Sequence, residues 1–217
     1  MSLEATHLRF ALEIKADLGV LDLEKYASGA VYPDTRYLSG LGRGLTHDLG
    51  YFEGKKGLSD FEKGWLAHII GDRVFREVVE EKFGDLVLFE EFEERWPVVT
   101  AIKIIQDIED FLRFDIQGVL PCLDYYELHF RENERKVIEY NHVIQTMYGG
   151  KTKLTVEDCL LLWEKLGMTR GELVRLRKKL IELYEEEGLV GKIQGNFGDG
   201  MELYEEKYKE LMKNYSG

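Results

Sequence analysis

The sequence predicts an all-α protein: a multi-helix bundle with a long glycine-rich loop over about residues 28–56 and a smaller helical module at its C-terminal end. Three observations predict it. Apolar residues recur at intervals of three and four along most of the chain. Helix-start signals precede several of these runs. Proline occurs only 3 times in 217 residues, too rarely to interrupt them.

The elements follow in order. Residues 3–18 place Leu8, Ala11, Leu12 and Leu18 at helical spacing. The glycines and proline of the next segment (Gly29, Pro33, Gly40, Gly42, Gly44, Gly50, Gly54) mark it as loop, and a loop of that length in a compact domain is more often functional than not. Ser59-Asp60-Phe61-Glu62 is a capping box, which starts a helix running to about Lys82 and ended by Gly84. A further helix over 97–114 opens with Pro97 in its first turn and carries Val98, Ile102, Ile105, Ile108 and Leu112. Helices are also expected near 120–131 and 133–148. The run Gly-Gly-Lys-Thr-Lys-Leu at 149–154 divides a helical domain, residues 1–150, from a module of residues 151–217.

Within that module, Thr155-Val-Glu-Asp and Thr169-Arg-Gly-Glu are two helix starts separated by Gly167, a helix-turn-helix-like pattern. The second helix reaches about Glu187 and stops at Gly188. A glycine-rich stretch, Gly191 to Gly200, then precedes a short amphipathic helix with Tyr204, Tyr208 and Leu211. The run Arg175, Arg177, Lys178, Lys179 beside Glu182 and Glu185 to Glu187 reads as a solvated helix with i,i+4 pairs.

Composition narrows the function classes. An apolar fraction of 44% with mixed charges is that of a soluble globular protein. The net charge of −12 argues against a general nucleic-acid binder and against docking on anionic lipid by charge alone, since both need Lys and Arg. A small basic pocket for a phosphorylated substrate remains compatible with it. Cys122 and Cys159 have no zinc-type spacing and read as small buried hydrophobes. No signal-peptide pattern and no run of roughly 18 apolar residues is present, so no membrane span and a cytoplasmic setting are expected. Nothing in the sequence sets the oligomeric state.

The chemistry-bearing residues cluster before residue 75. His68 and Asp72 are four apart in a helical segment, so both can reach one ion from one face. That face is otherwise apolar, with Trp65 and Phe75 adjacent, and a buried aspartate there needs coordination or an ion pair. Gly71 would let another backbone or a ligand approach. A plainer arrangement is also open, in which His68 bonds a backbone carbonyl and Asp72 pairs with Arg73 or Arg76. The long loop adds Asp34 and His47, and the first helix adds His7.

In order, the chain reads His7-Leu-Arg-Phe-Ala, Gly29-Ala-Val-Tyr-Pro-Asp34, Thr46-His47 and His68-Ile-Ile-Gly-Asp72. This resembles the zinc-dependent phospholipase C family, an all-helical group related to the zinc-dependent single-strand nucleases, over roughly residues 5–80. The resemblance implies a hydrolase acting on a phosphodiester or phosphomonoester. It implies that Asp34, His47 and His68 bind one metal, that His7 helps bind another, and that Asp72 bridges them. Asp72 and Asp34 would then be the catalytic carboxylates. Zinc suits such ligands, and nickel, manganese or iron would also fit. Arg36 and Arg43, on the same loop, are candidate clamps for a small phosphorylated substrate. Three-metal members of the family have another histidine soon after the bridging Asp, then a later His with Glu four residues on. Residues 73–79 contain no histidine, and although His129 and His142 are available, position 146 is threonine. One or two ions are therefore expected.

Two other readings fit part of the pattern. His47-Asp48, with His7 and Asp72, resembles the HD-domain phosphohydrolases, although a glycine-rich lead-in is unusual there and His68 is left without a role. A helical interaction protein with a structural or degenerate metal site is the non-catalytic alternative.

Overall fold

The computed structural model describes residues 3–87 and 92–199. Among these residues every regular element is helical. In chain order they are α1 (Glu4–Ile14), α2 (Leu23–Val31), α3 (Arg36–Ser39), α4 (Arg43–Thr46), α5 (Asp60–Lys82), α6 (Gly84–Val87), α7 (Phe92–Arg113), α8 (Glu134–Tyr148), α9 (Val156–Lys165), α10 (Arg170–Glu185) and α11 (Leu189–Asp199). Single 3-10 turns lie at Tyr32–Thr35, Leu49–Phe52 and Leu120–Asp124. No described helix is long and apolar enough to cross a membrane.

The bundle is organised around α5. The expected capping box is formed: Ser59 Oγ accepts the Glu62 N–H at 3.2 Å, and the Glu62 carboxylate accepts the Ser59 N–H at 3.0 Å. From Phe61 to Val79 the helix buries Trp65, Leu66, Ile69, Ile70, Val74, Phe75 and Val78 against α1, α2 and their neighbours. Burial of each such side chain stabilises by about 1.5–3 kcal/mol before ordering costs. The α2–α5 contact is unusually close because each helix contributes a glycine. A Cβ at Gly29 would lie 2.0 Å from the Phe61 carbonyl oxygen, and one at Gly64 would lie 2.0 Å from that of Tyr26.

The segment expected as a loop over 28–56 is instead largely short helices. Gly29 lies inside α2, where its missing side chain serves the contact with α5. Gly40, at φ +78°, ends α3 in the left-handed conformation that glycine adopts without strain. Burial of Tyr26 through Thr35 holds the chain in helical turns that the glycine count alone did not suggest.

Other boundaries also differ. The helix expected from Pro97 begins at Phe92, placing the proline in its second turn. Arg95, in the added turn, bonds Glu80 of α5 at 2.6 Å and helps hold that turn in place. The expected helix at 120–131 is only the 3-10 turn, after which the chain is irregular. There the Glu132 carboxylate accepts the backbone N–H groups of His129 and Phe130, at 2.9 and 2.7 Å, in place of helical carbonyls.

Both predicted helix starts of the C-terminal region form, each as a capping box, at Thr155/Asp158 and Thr169/Glu172. Gly167, at φ +95°, makes the turn between α9 and α10. The glycine-rich stretch that begins at Gly191 is helical through Asp199, with Leu189 and Ile193 buried. Helices α10 and α11 pack on α7. The expected helix around Tyr204, Tyr208 and Leu211 lies outside the described residues.

Helix α1 has no side-chain cap of its own, because Leu3 occupies the N-cap position. Asp107 of α7 supplies the missing acceptor: its Oδ1 takes the Thr6 N–H at 2.9 Å, and its Oδ2 takes the Tyr148 hydroxyl at 2.8 Å. Burial pushes the Asp107 pKa up to about 7, with Asp110 adding like-charge repulsion against the two hydrogen bonds. A carboxyl raised in the folded state binds its proton more tightly there than in the unfolded chain. Its contribution is therefore full below about pH 4 and is lost as pH rises towards 7. Asp107→Asn retains an acceptor without the charge. In chelator, the melting temperature of the variant relative to wild type should rise by about 5 °C between pH 5 and pH 8. A difference that stays flat or falls over that range in calorimetry would count against a buried, titrating Asp107.

Candidate metal centre

Four local devices bring the predicted ligands together. His7 projects from α1 and His68 from α5, and their rings stack with centroids 3.6 Å apart and planes 13° from parallel. Pro33 opens the 3-10 turn that carries Asp34 inward, where it is 1% exposed. The Trp65 indole N–H donates to the Thr46 carbonyl at 2.6 Å, tying the segment with His47 to α5. Asp72 lies one turn beyond His68 on α5, as the i,i+4 spacing requires.

Two groups of potential ligand atoms result, each within 4.8 Å: Asp34, His47 and His68, and His7, His68 and Asp72. In the first, His47 Nε2 is 3.3 Å from His68 Nε2 and 3.7 Å from Asp34 Oδ1, while His68 Nε2 is 3.9 Å from Asp34 Oδ2. An ion holding four ligands tetrahedrally at 2.0–2.1 Å keeps them about 3.4 Å apart, so this group converges on the right scale. In the second, His7 Nε2 is 3.8 Å from Asp72 Oδ1. His7 Nε2 and Asp34 Oδ1 are both buried without a hydrogen-bond partner among the described residues. Such atoms are costly to leave unsatisfied, and coordination would satisfy both. These residues can hold a metal ion.

The second ring nitrogen of His68 fixes its orientation. Nδ1 lies 2.8 Å from the Ala30 carbonyl, which can only accept, so Nδ1 carries the proton and Nε2 keeps its lone pair facing Asp34 and His47. The backbone contact weighed from sequence is thus real and leaves the ligand atom available. A single lone pair serves one ion, so the two groups cannot both use His68 at once.

The electrostatics favour the ligating forms. Burial lowers the pKa of all three imidazoles, that of His47 to about 2, with mutual repulsion adding to the effect for His7 and His47. They are neutral at neutral pH, as metal binding requires. Burial alone would raise Asp72, but the cationic groups around it hold it well below the usual carboxylate range. The Arg43 guanidinium donates a hydrogen bond to Asp72 Oδ2 at 2.6 Å.

The expected ion-pair partners of Asp72, Arg73 and Arg76, are replaced by Arg43 and by Lys103. Lys103 is 3% exposed and places Nζ 3.8 Å from Asp72 Oδ1 and 4.5 Å from the Phe75 ring centre. Arg43 and Arg36, the predicted clamps, both line a cleft of about 490 Å³ beside the cluster. Arg36 stacks over Tyr37 at 4.1 Å and places Nε 3.4 Å from Asp34 Oδ1. Asp48, central to the HD-type reading, is exposed and accepts the Gly50 N–H at 2.9 Å, outside both ligand groups. His129 bonds the Tyr51 hydroxyl through Nδ1 and has Nε2 3.2 Å from Glu127, outside both ligand groups, and His142 is exposed. Gly71 faces the Phe10 ring, where a Cβ would lie 3.0 Å from Cδ1, and so does not receive a backbone or ligand.

Sequence reasoning passed over Lys103 and Glu4. The signal for Lys103 was a lone cation in the apolar run Val98 to Ile108. That for Glu4 was its place one turn before His7. Glu4 is buried against the Tyr140 hydroxyl, and burial, with the nearby Asp34 charge, raises its pKa well above the carboxylate range. Compared with protein-family models, curated proteins and solved structures, the chain matches none.

Proposed function

We propose that the chain is a metal-dependent hydrolase of phosphoesters. The observation that carries the reading is the convergence of Asp34, His47 and His68 on one point, with Asp72 and Arg43 between that point and a cation-lined cleft. Asp34, His47 and His68 would hold one divalent ion, and His7 a second, with Asp72 reaching both. Zinc suits the mixed imidazole and carboxylate set, and nickel, manganese and iron are the other candidates. Bound there, such an ion would supply Lewis acidity towards water and a phosphoryl oxygen.

The chain's own residues do the rest. The Ala30 carbonyl holds the His68 ring in its ligating orientation. Arg43 and Lys103 flank Asp72 on opposite oxygens and can offer N–H donors to a phosphoryl group at the cleft mouth. Those fixed cations stabilise charge as it builds on the phosphoryl oxygens without reorganising. The buried walls around Trp65 and Phe75 exclude bulk water from the ligand side.

Elemental analysis of the purified protein, with and without zinc, manganese or nickel reconstitution, tests the first half of this reading. One to two ions per chain are expected, and absence of near-stoichiometric metal would end it. Hydrolysis of p-nitrophenyl phosphate or bis-p-nitrophenyl phosphate by the loaded protein tests the second. A loaded protein inert towards both would leave a structural metal site.

A further inference from the structure

The cleft beside the cluster has two lobes that meet at Arg43, Asp72 and Arg76. The smaller, of about 390 Å³, adds Arg73, His47 and Ile69, with Glu77 as its other acid. Arg73 and Arg76 are exposed, project from successive turns of α5 just past Asp72, and make no ion pair among the described residues. The larger lobe has Lys103 and Arg36 at the ligand end, and Phe75, Val79, Trp96 and Val99 along its wall. Its remaining cation, Arg95, is paired with Glu80.

Five cations (Arg36, Arg43, Arg73, Arg76 and Lys103) therefore line the two lobes that share Asp72, in a protein of net charge −12. A single phosphate at Asp72 would engage Arg43 and Lys103. It would leave Arg73 and Arg76 facing an empty lobe, opposite an apolar wall that a bare phosphate does not use. A ligand with a second phosphate on one side and an apolar group on the other complements both lobes.

We propose that the substrate is an organic diphosphate. Its terminal phosphate lies at Arg73 and Arg76, its inner phosphorus at the junction over Asp72 and Arg43, and its apolar or aromatic group against Phe75, Val79, Trp96 and Val99. This rests on the hydrolase reading above. In the reaction, a bond forms between a water oxygen and the inner phosphorus while the P–O–P bridge breaks. The bridging oxygen leaves with the terminal phosphate as inorganic phosphate, an organic monophosphate remains, and the proton lost by water passes to solvent. Negative charge builds on the bridging oxygen next to the arginine pair, where bidentate donors stabilise it.

Phenyl diphosphate and phenyl phosphate, differing only in the second phosphate, provide the comparison. The metal-loaded protein should favour the diphosphate in kcat/KM by about 30-fold or more, and the ratio should fall below about 3 in Arg73→Ala/Arg76→Ala. In calorimetry, methylenediphosphonate should bind about 10-fold more tightly than methylphosphonate, and the same double variant should erase the difference. Phosphomonoester turnover without a diphosphate preference overturns the substrate class and leaves the hydrolase. So does a preference that survives the double substitution. Binding that depends on the arginines, with no turnover of any ester, supports the diphosphate site and overturns the hydrolase. Absence of both turnover and binding overturns both.

Discussion

Replacing His68 should leave the purified protein without stoichiometric metal. The side chain is fully buried, both ligand groups include it, and its Nε2 lies 3.3 Å from that of His47. Alanine would remove the ligand but also open a cavity beneath the stacked His7 ring, costing about 2–4 kcal/mol by itself. Glutamine is the sharper substitution, because it nearly fills the volume and can still donate to the Ala30 carbonyl. We expect metal content in His68→Gln to drop about 10-fold or more by elemental analysis, with the helical circular dichroism spectrum preserved. Asp48→Ala, which removes an exposed turn-forming carboxylate, should retain full loading. A His68→Gln protein that still bound a full equivalent would show that the convergence at Asp34 and His47 has another purpose.

The largest loss of stability is expected from Gly64→Ala. The added methyl would sit 2.0 Å from a backbone oxygen, Tyr26 O, with Ala30 N at 2.8 Å. Neither can swing aside as a side chain would, so α2 and α5 must separate. Overpacking against rigid backbone belongs to the severe class of substitutions, on the order of 3–5 kcal/mol here. For a chain of this length that lowers the melting temperature by roughly 10 °C. The damage should extend to the metal centre, since the carbonyl that orients His68 belongs to Ala30 on α2. Gly71→Ala should cost less because it meets the Phe10 ring, and Gly44→Ala should be nearly neutral, with nothing within 4 Å. If Gly64→Ala melted together with Gly44→Ala, the close helix contact would be refuted.

Helix class, the α5 capping box and the paired starts at Thr155 and Thr169 were legible because each is encoded within a few residues. The i,i+4 pair His68 and Asp72 was legible for the same reason. Residues 28–56 were misread because a glycine in a tight interhelical contact and a glycine in a loop look alike until the partner helix is known. Gly29 is the first kind and Gly40 the second. Pro97 marked a helix start that in fact lies a turn earlier, where Arg95 pairs with a residue fifteen positions back. Asp72's partners were out of reach for a similar reason. Arg43 and Lys103 come from other helices, while Arg73 and Arg76, its neighbours in sequence, point into the cleft lobes instead.

The dependence of α1 on Asp107 limits how portable the candidate metal centre is. All five candidate ligands fall within the first 72 residues, so the site looks like a cassette that could be cut out and grafted. Yet the helix that presents His7 has its leading turn closed by an acceptor a hundred residues downstream, and Arg9 is tied in the same way to Asp110. Ligand identity is local in this chain, whereas ligand placement belongs to the whole bundle. A ribosome will have released every candidate ligand side chain well before the scaffold that holds them in register is complete.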